Sequence, residues 1–246
     1  MIKVRKMAHR LLNQFMNVKF RFQYPDLATA IDEVVEDNIA YLEKRALQEL
    51  AATVRSIEEK KLEGAIVEAG CARGGSAITI AAAKKKERGF QVYDMFGTIP
   101  PPSDKDGKKS HERYKEIKDG QSNGLGDKVY YGYEEKLLDT VVNNFKRLGF
   151  KPEKERIEFI KGPFQNTMPE LHAKLSLVHI DADWYESVMT ALKYTEPLLV
   201  SGGSFIIDDY NTWSGCQRAV DEYFQDKKDN YKFSERSELH IIKENS

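Results

Sequence analysis

Apolar positions along this chain fall into two regimes. From Leu27 to Ile57 they recur at three- and four-residue steps, through Ile31, Val34, Val35, Ile39, Leu42, Leu47, Leu50 and Val54. That spacing predicts helix over 26–62. Asp26, after Pro25, is the expected N-cap, Gly64 closes the stretch, and Asp37-Asn38 is where so long a run should break. Beyond Gly64 the pattern changes to short apolar runs separated by polar segments of helical period. AIVEAG (65–70), FQVYDMF (90–96), RIEFIKG (156–162), LSLVHID (175–181) and GSFIIDD (203–209) read as strands, and YKFSE with LHIIKE as a closing pair. Segments 76–86, 133–149, 185–199 and 215–226 read as helices between them. The runs IVEA, LVHI and FII suit strands covered on both faces. The fold class is therefore α/β: a mostly parallel sheet with helices on both faces and an N-terminal helical extension.

Two stretches depart from this alternation. The 31 residues 97–127 are polar, carry Pro100, Pro101 and Pro102, and are too long for a plain connector. They read as a lid with a short helix over 111–119, holding His111 and Ser122. Residues 1–25 carry Lys3, Arg5, Lys6, Arg10, Lys19 and Arg21, and the first acidic residue is Asp26. This basic arm has the charge of an organelle transit peptide without its serines. Its apolar residues Leu11, Leu12, Phe15 and Met16 need a surface to cover, either an active site or a dimer partner. The expected organisation is an arm over 1–25 and one domain over 26–246, in a homo-oligomer.

Composition narrows the function. Lys plus Arg number 38 and Asp plus Glu 39, a balance that argues against a dedicated nucleic-acid binder. No apolar run approaches the roughly 18–20 residues of a membrane span. Two cysteines, Cys71 and Cys216, make no disulfide framework, so a reducing cytoplasm is the expected location.

Ligands of open parallel sheets bind beyond the carboxyl ends of the strands. The residues there are Glu68-Ala69-Gly70, Asp94, Gly162, Asp181-Ala182-Asp183 and Asp208-Asp209. The turn VEAGCARGGS (67–76) lets backbone approach a ligand without Cβ interference. Ala72 interrupts G-x-G-x-x-G, and G-K-[ST] is missing, so pyrophosphate binding is disfavoured. Asp94 stands 24 residues beyond Gly70, near the offset at which an acid meets a ribose. Turn and acid together indicate an adenosine-like ligand. Asp181, Asp183, Asp208 and Asp209 end neighbouring strands, about 5 Å apart. So many carboxylates cannot all stay ionised without a counter-ion. A hard divalent cation such as Mg²⁺ meets that need, and no His–Cys spacing suggests zinc. Helix N-caps account for one such Asp but poorly for four.

Taken together, VEAGCARGGS, the acid of VYDMF, IKGPFQNTMP, HIDADWYES and IIDDY resemble the macrocin O-methyltransferase (TylF/MycF-type) family, class I methyltransferases that use S-adenosylmethionine. The resemblance covers about residues 64–243. It implies a Rossmann-like, seven-stranded sheet whose last strand, 239–243, is antiparallel. It also implies a divalent metal, usually Mg²⁺, and acceptor hydroxyls on sugars of antibiotics or other natural products. By matching position, Asp181, Asp208 and Asp209 would be metal ligands and Asp183 the general base. Glu68, Gly70, Gly74 and Ser76 would hold the methionine end of the cofactor, Asp94 the ribose, and Gly162 to Gln165, with Phe164, the adenine. Asp181 and Ser122 would also face the cofactor. Arg73 receives no role.

His179, just before the acids, is a second candidate base, and equally a core histidine. Trp184, Tyr185, Tyr210 and Trp213 flank the acids and suit either a sugar face or core packing. Three rival readings stand beside this one. D-A-D is shaped like the D-x-D of metal-dependent glycosyltransferases, though few Arg or Lys flank it in sequence. The same metal chemistry would also serve catechol or phenol methylation. A non-catalytic cofactor- or metal-binding partner would not need the convergent acids.

Overall fold

The short apolar runs pair into one seven-stranded sheet in the order β3-β2-β1-β4-β5-β7-β6. Its strands are β1 (Ala65–Ala69), β2 (Phe90–Asp94), β3 (Ile157–Lys161), β4 (Leu175–Ile180), β5 (Leu199–Ile207), β6 (Tyr231–Glu235) and β7 (Leu239–Lys243). β1 to β5 run parallel, and β7 is antiparallel to both β5 and β6. The computed structural model describes residues 14–244; the first part of the basic arm, 1–13 with Leu11 and Leu12, lies outside the described residues.

The helices are α1 (14–23), α2 (Pro25–Glu36), α3 (Lys44–Glu59), α4 (Gly75–Ala83), α5 (Lys108–Lys118), α6 (Leu137–Arg147), the single turn α7 (Phe164–Thr167), α8 (Tyr185–Thr195) and α9 (Ser214–Phe224). Alternation along each strand splits the core. Ile66, Val92 and Leu177 meet α2, α3, α4 and α6 on one face. Val67, Val178 and Ile180 meet α8 and α9 on the other. Among the described residues no helix is long and apolar enough to cross a membrane.

The predicted long N-terminal helix breaks over 37–43, where Asn38 takes φ 52°. Its start differs from expectation. Tyr24 is the N-cap, because Pro25 fills the first helical position, where its missing N–H costs nothing. Asp26 falls in the first turn and pairs with Arg55 of α3. Strand β5 ends at Ile207, so Asp208 and Asp209 lie in the 3-10 turn that follows.

Segment 97–127 folds over the carboxyl rim of the sheet, with α5 at its centre. It is latched to the start of α8. The Trp184 indole N–H donates to the Pro100 carbonyl (2.9 Å) and the Tyr185 N–H to Asp106 Oδ1 (2.9 Å). Asp106 Oδ2 in turn accepts from the Ser103 N–H (2.8 Å) and hydroxyl (3.0 Å).

Candidate active site

Register brings the acids together. β4 and β5 pair with Ile180 opposite Ile207, so the next residues, Asp181 and Asp208, emerge side by side. Carboxylate oxygens of Asp181, Asp208 and Asp209 all lie within 4.8 Å of one another. Asp209 Oδ2 also accepts the backbone N–H of Asp183 (3.2 Å). Asp183 is held at φ 53°, a left-handed conformation costly for a residue with a Cβ. Strain of this kind persists where surrounding structure over-determines it, commonly at functional sites.

Burial pushes all four acids up, and mutual repulsion adds to it for Asp181 and Asp209. Asp208 rises to about 7 through burial and the neighbouring Glu238. Asp183 rises to about 6 through burial, against a hydrogen bond from Trp213 and the charge of Arg113.

Beside the acids lies a pocket bounded by Gly70, Asp94, Phe164, Gln165, Asp181 and Asp183. A Cβ on Gly70, at φ +92°, would stand 1.8 Å from the Asp181 carbonyl oxygen, so the turn and the end of β4 can touch only through glycine. Asp94 accepts the N–H groups of Cys71 (2.8 Å), Ala72 (3.3 Å) and Phe96 (2.6 Å), and so shapes the turn as well as lining the pocket. Gly162 donates to the Asp94 carbonyl (3.0 Å) and aims Pro163 to Gln165 at the pocket without lining it.

Other expected contacts lie elsewhere. Gly74 caps α4 against Val141, and Ser76 is buried in that helix. Ser122 is buried in the lid, its hydroxyl accepting from Arg113 (2.7 Å). Glu68 is fully buried behind the turn. It sits opposite His179 across β1 and β4, with Oε1 3.0 Å from His179 Nδ1. His179 Nε2 lies 3.7 Å from Glu238 Oε2 of the β6–β7 hairpin. Burial alone would lower the His179 pKa, but the bonds to Glu238 and Glu68 raise it well above its ordinary value. His179 lines neither cavity, whereas Asp183 opens onto both.

The second cavity, of about 210 Å³, has Asp181, Asp183, Asp208 and Asp209 on one wall. Tyr41, Tyr130, Tyr131, Trp213 and Arg113 form much of the rest. Trp184 and Trp213 stack edge to face with centroids 5.1 Å apart. Tyr185 and Tyr210 instead bond to Glu222 (2.7 Å) and Asp221 (2.8 Å) of α9 and line neither cavity. Sequence reading missed Tyr41 of the N-terminal extension, Arg113 of segment 97–127 and Tyr130 just after it, which carry no motif. It also counted few cations near the acids, because Arg113 is remote from them along the chain.

The sequence profile of the macrocin-O-methyltransferase (TylF) family matches residues 5–234. The chain belongs to that family. Among curated relatives of this macrocin O-methyltransferase family member is the 8-demethyl-8-(2,3-dimethoxy-alpha-L-rhamnosyl)-tetracenomycin-C 4'-O-methyltransferase of Streptomyces olivaceus, 31% identical over 73% of this chain and 65% of the relative. Another is the mycinamicin III 3''-O-methyltransferase of Micromonospora griseorubida, 32% identical over 73% of this chain and 67% of the relative. The match thus spans about two thirds of these relatives' length. The solved structure of the O-methyltransferase NovP superposes with TM-score 0.70 at 22% identity, covering 84% of this chain and 83% of that one. The fold is the Rossmann-like one of class I methyltransferases, as expected from sequence. With family and fold in place, the glycosyltransferase reading of D-A-D is set aside.

Proposed function

We propose that this protein is an S-adenosylmethionine-dependent O-methyltransferase acting on a hydroxyl of a sugar or glycoside, with a divalent cation, Mg²⁺ foremost, at Asp181, Asp208 and Asp209. The observation that carries the reading is that Asp181 and Asp183 are shared by a pocket beside the glycine turn and a cavity walled by convergent carboxylates. The names of the relatives support the acceptor class.

The residues fit both groups. Three hard oxygen donors within reach of one another suit Mg²⁺ better than zinc. Burial, and for Asp181 and Asp209 repulsion among the acids, raises their pKa values, and a bound cation would offset both. Gly70, Asp94, Phe164 and Gln165 would hold the cofactor. When bound, the cation favours the ionised form of a nearby hydroxyl, and S-adenosylmethionine supplies a methyl group on a sulfonium.

The remaining work falls to the chain. Asp183, at about 6, is mostly ionised at neutral pH yet more basic than an ordinary carboxylate, which suits it to take the hydroxyl proton. The bond from its N–H to Asp209 fixes its backbone beside the three carboxylates. Positive charge on His179, behind the acids, would work against the burial that raises the pKa of Asp181 and Asp208. Trp184, tied to Pro100, lines both cavities, and exclusion of water there would strengthen every charge inside.

The test is incubation with S-adenosylmethionine and a neutral deoxyhexose glycoside, read by mass spectrometry. One added methyl group is expected, lost on chelation and regained with Mg²⁺. Methylation that survives full chelation overturns the metal. A catechol methylated in place of every sugar overturns the acceptor class.

A further inference from the structure

Arg113 lines the acid cavity, and Lys109 of the same helix lies beside it. Lys109 and Arg113 stand four residues apart on the lid helix α5, and therefore on one face of it. Each lies over a ring that lines the cavity. Lys109 Nζ is 4.6 Å from the Trp213 centroid, and Arg113 Cζ is 5.5 Å from that of Tyr130. The buried hydroxyl of Ser122 accepts one edge of the Arg113 fork (2.7 Å), and Glu116 takes another at 2.9 Å. Lys109 has no carboxylate within ion-pair distance among the described residues; its polar contact is the Thr212 carbonyl at 3.4 Å.

The acids account for a cation facing Asp183; Lys109, exposed above Trp213 with no carboxylate beside it among the described residues, is open to an anion approaching the cavity. A neutral glycoside has no use for that lysine. An arginine with an exposed ammonium one turn away matches a phosphate, which offers several anionic oxygens at once and would take the guanidinium in exchange for its bonds to Ser122 and Glu116.

Resting on the function proposed above, we infer that the acceptor carries a phosphate group beside the sugar to be methylated, held by Arg113 and Lys109. A glycosyl phosphate and a nucleoside diphosphate sugar share that chemistry.

Three acceptors bearing the same deoxyhexose distinguish the cases: the methyl glycoside, the glycosyl 1-phosphate and the nucleoside diphosphate sugar. At low salt, kcat/KM should favour the phosphate-bearing acceptors by about tenfold or more, and added salt should shrink the advantage. Arg113→Gln should cut the preference about tenfold, mostly through KM, while Arg113→Lys keeps part of it. Should Arg113→Gln misfold, Lys109→Gln and the salt dependence of the unaltered enzyme read the same preference. Whichever phosphate acceptor is better names the source. Equal use of the neutral glycoside at every ionic strength overturns this inference and leaves the methyltransferase reading intact. Methylation of none of the three overturns both.

Discussion

The two rims of the sheet handle buried charge in opposite ways. At the amino-terminal rim, near the starts of β1, β2 and β4, Arg88 pairs with the Glu58 carboxylate and donates to the Leu62 carbonyl (2.9 Å), the Gly64 carbonyl and the Ser176 hydroxyl (3.1 Å). Lys84 gives its three protons to the carbonyls of Lys85, Arg88 and Glu155. Burial works against the Glu58 carboxylate, yet the bonds from Arg88 and the Lys85 N–H hold its pKa below the ordinary value. At the carboxyl rim four carboxylates crowd together and all are pushed up. Matched charge fixes the lower rim; the unmatched acids of the upper rim are the ones proposed to meet a cation.

Substitutions should separate the two rims. Asp183→Asn removes the proposed base and keeps its shape, so kcat should fall about 10²–10⁴-fold with little change in unfolding midpoint. A variant that retains full activity would move the base elsewhere. Arg88→Ala strands a buried carboxylate, and urea unfolding should report a loss of about 3–5 kcal/mol. Activity per folded molecule should be unchanged, and a loss there would make the lower rim more than scaffolding.

A smaller effect links pH to the upper rim. The folded pKa values of Asp183 and Asp208, about 6 and 7, lie above the ordinary 3.8. Their contribution to stability is therefore fully present below the unfolded value and is lost as pH rises through the folded ones. Cation-free protein should lose thermal stability across that window, in comparison with Asp208→Asn. Stabilisation by Mg²⁺ should grow over the same window, since protons and cation compete for the same oxygens. Mg²⁺ protection that is flat with pH would place the ion away from these acids.

Much of the upper rim was legible in the sequence because each apolar run ends on the residue that matters. Ile180 and Ile207 are the last apolar residues of their strands, and Asp181 and Asp208 follow at once. What stayed hidden depends on strand order and on which face a polar helix turns inward. Glu68 and His179 are 111 residues apart and meet only because β1 and β4 are neighbours in register. That pairing makes Glu68 a partner of His179 instead of a residue lining the pocket. Arg113 and Lys109 belong to a helix polar almost all round, with only Ser110 and Ile117 buried, so periodicity could not orient it. Tyr41 lies in the break between α2 and α3, where no periodic signal exists.

The latch between the lid and α8 has a mechanical consequence. Pro100 and Asp106 hold Trp184 and Tyr185, the two residues directly after Asp183. Any swing that frees 100–106 slackens the chain beside the left-handed bend at Asp183. On the proposed reading, admission of a guest and alignment of Asp183 would then be coupled through the same few hydrogen bonds.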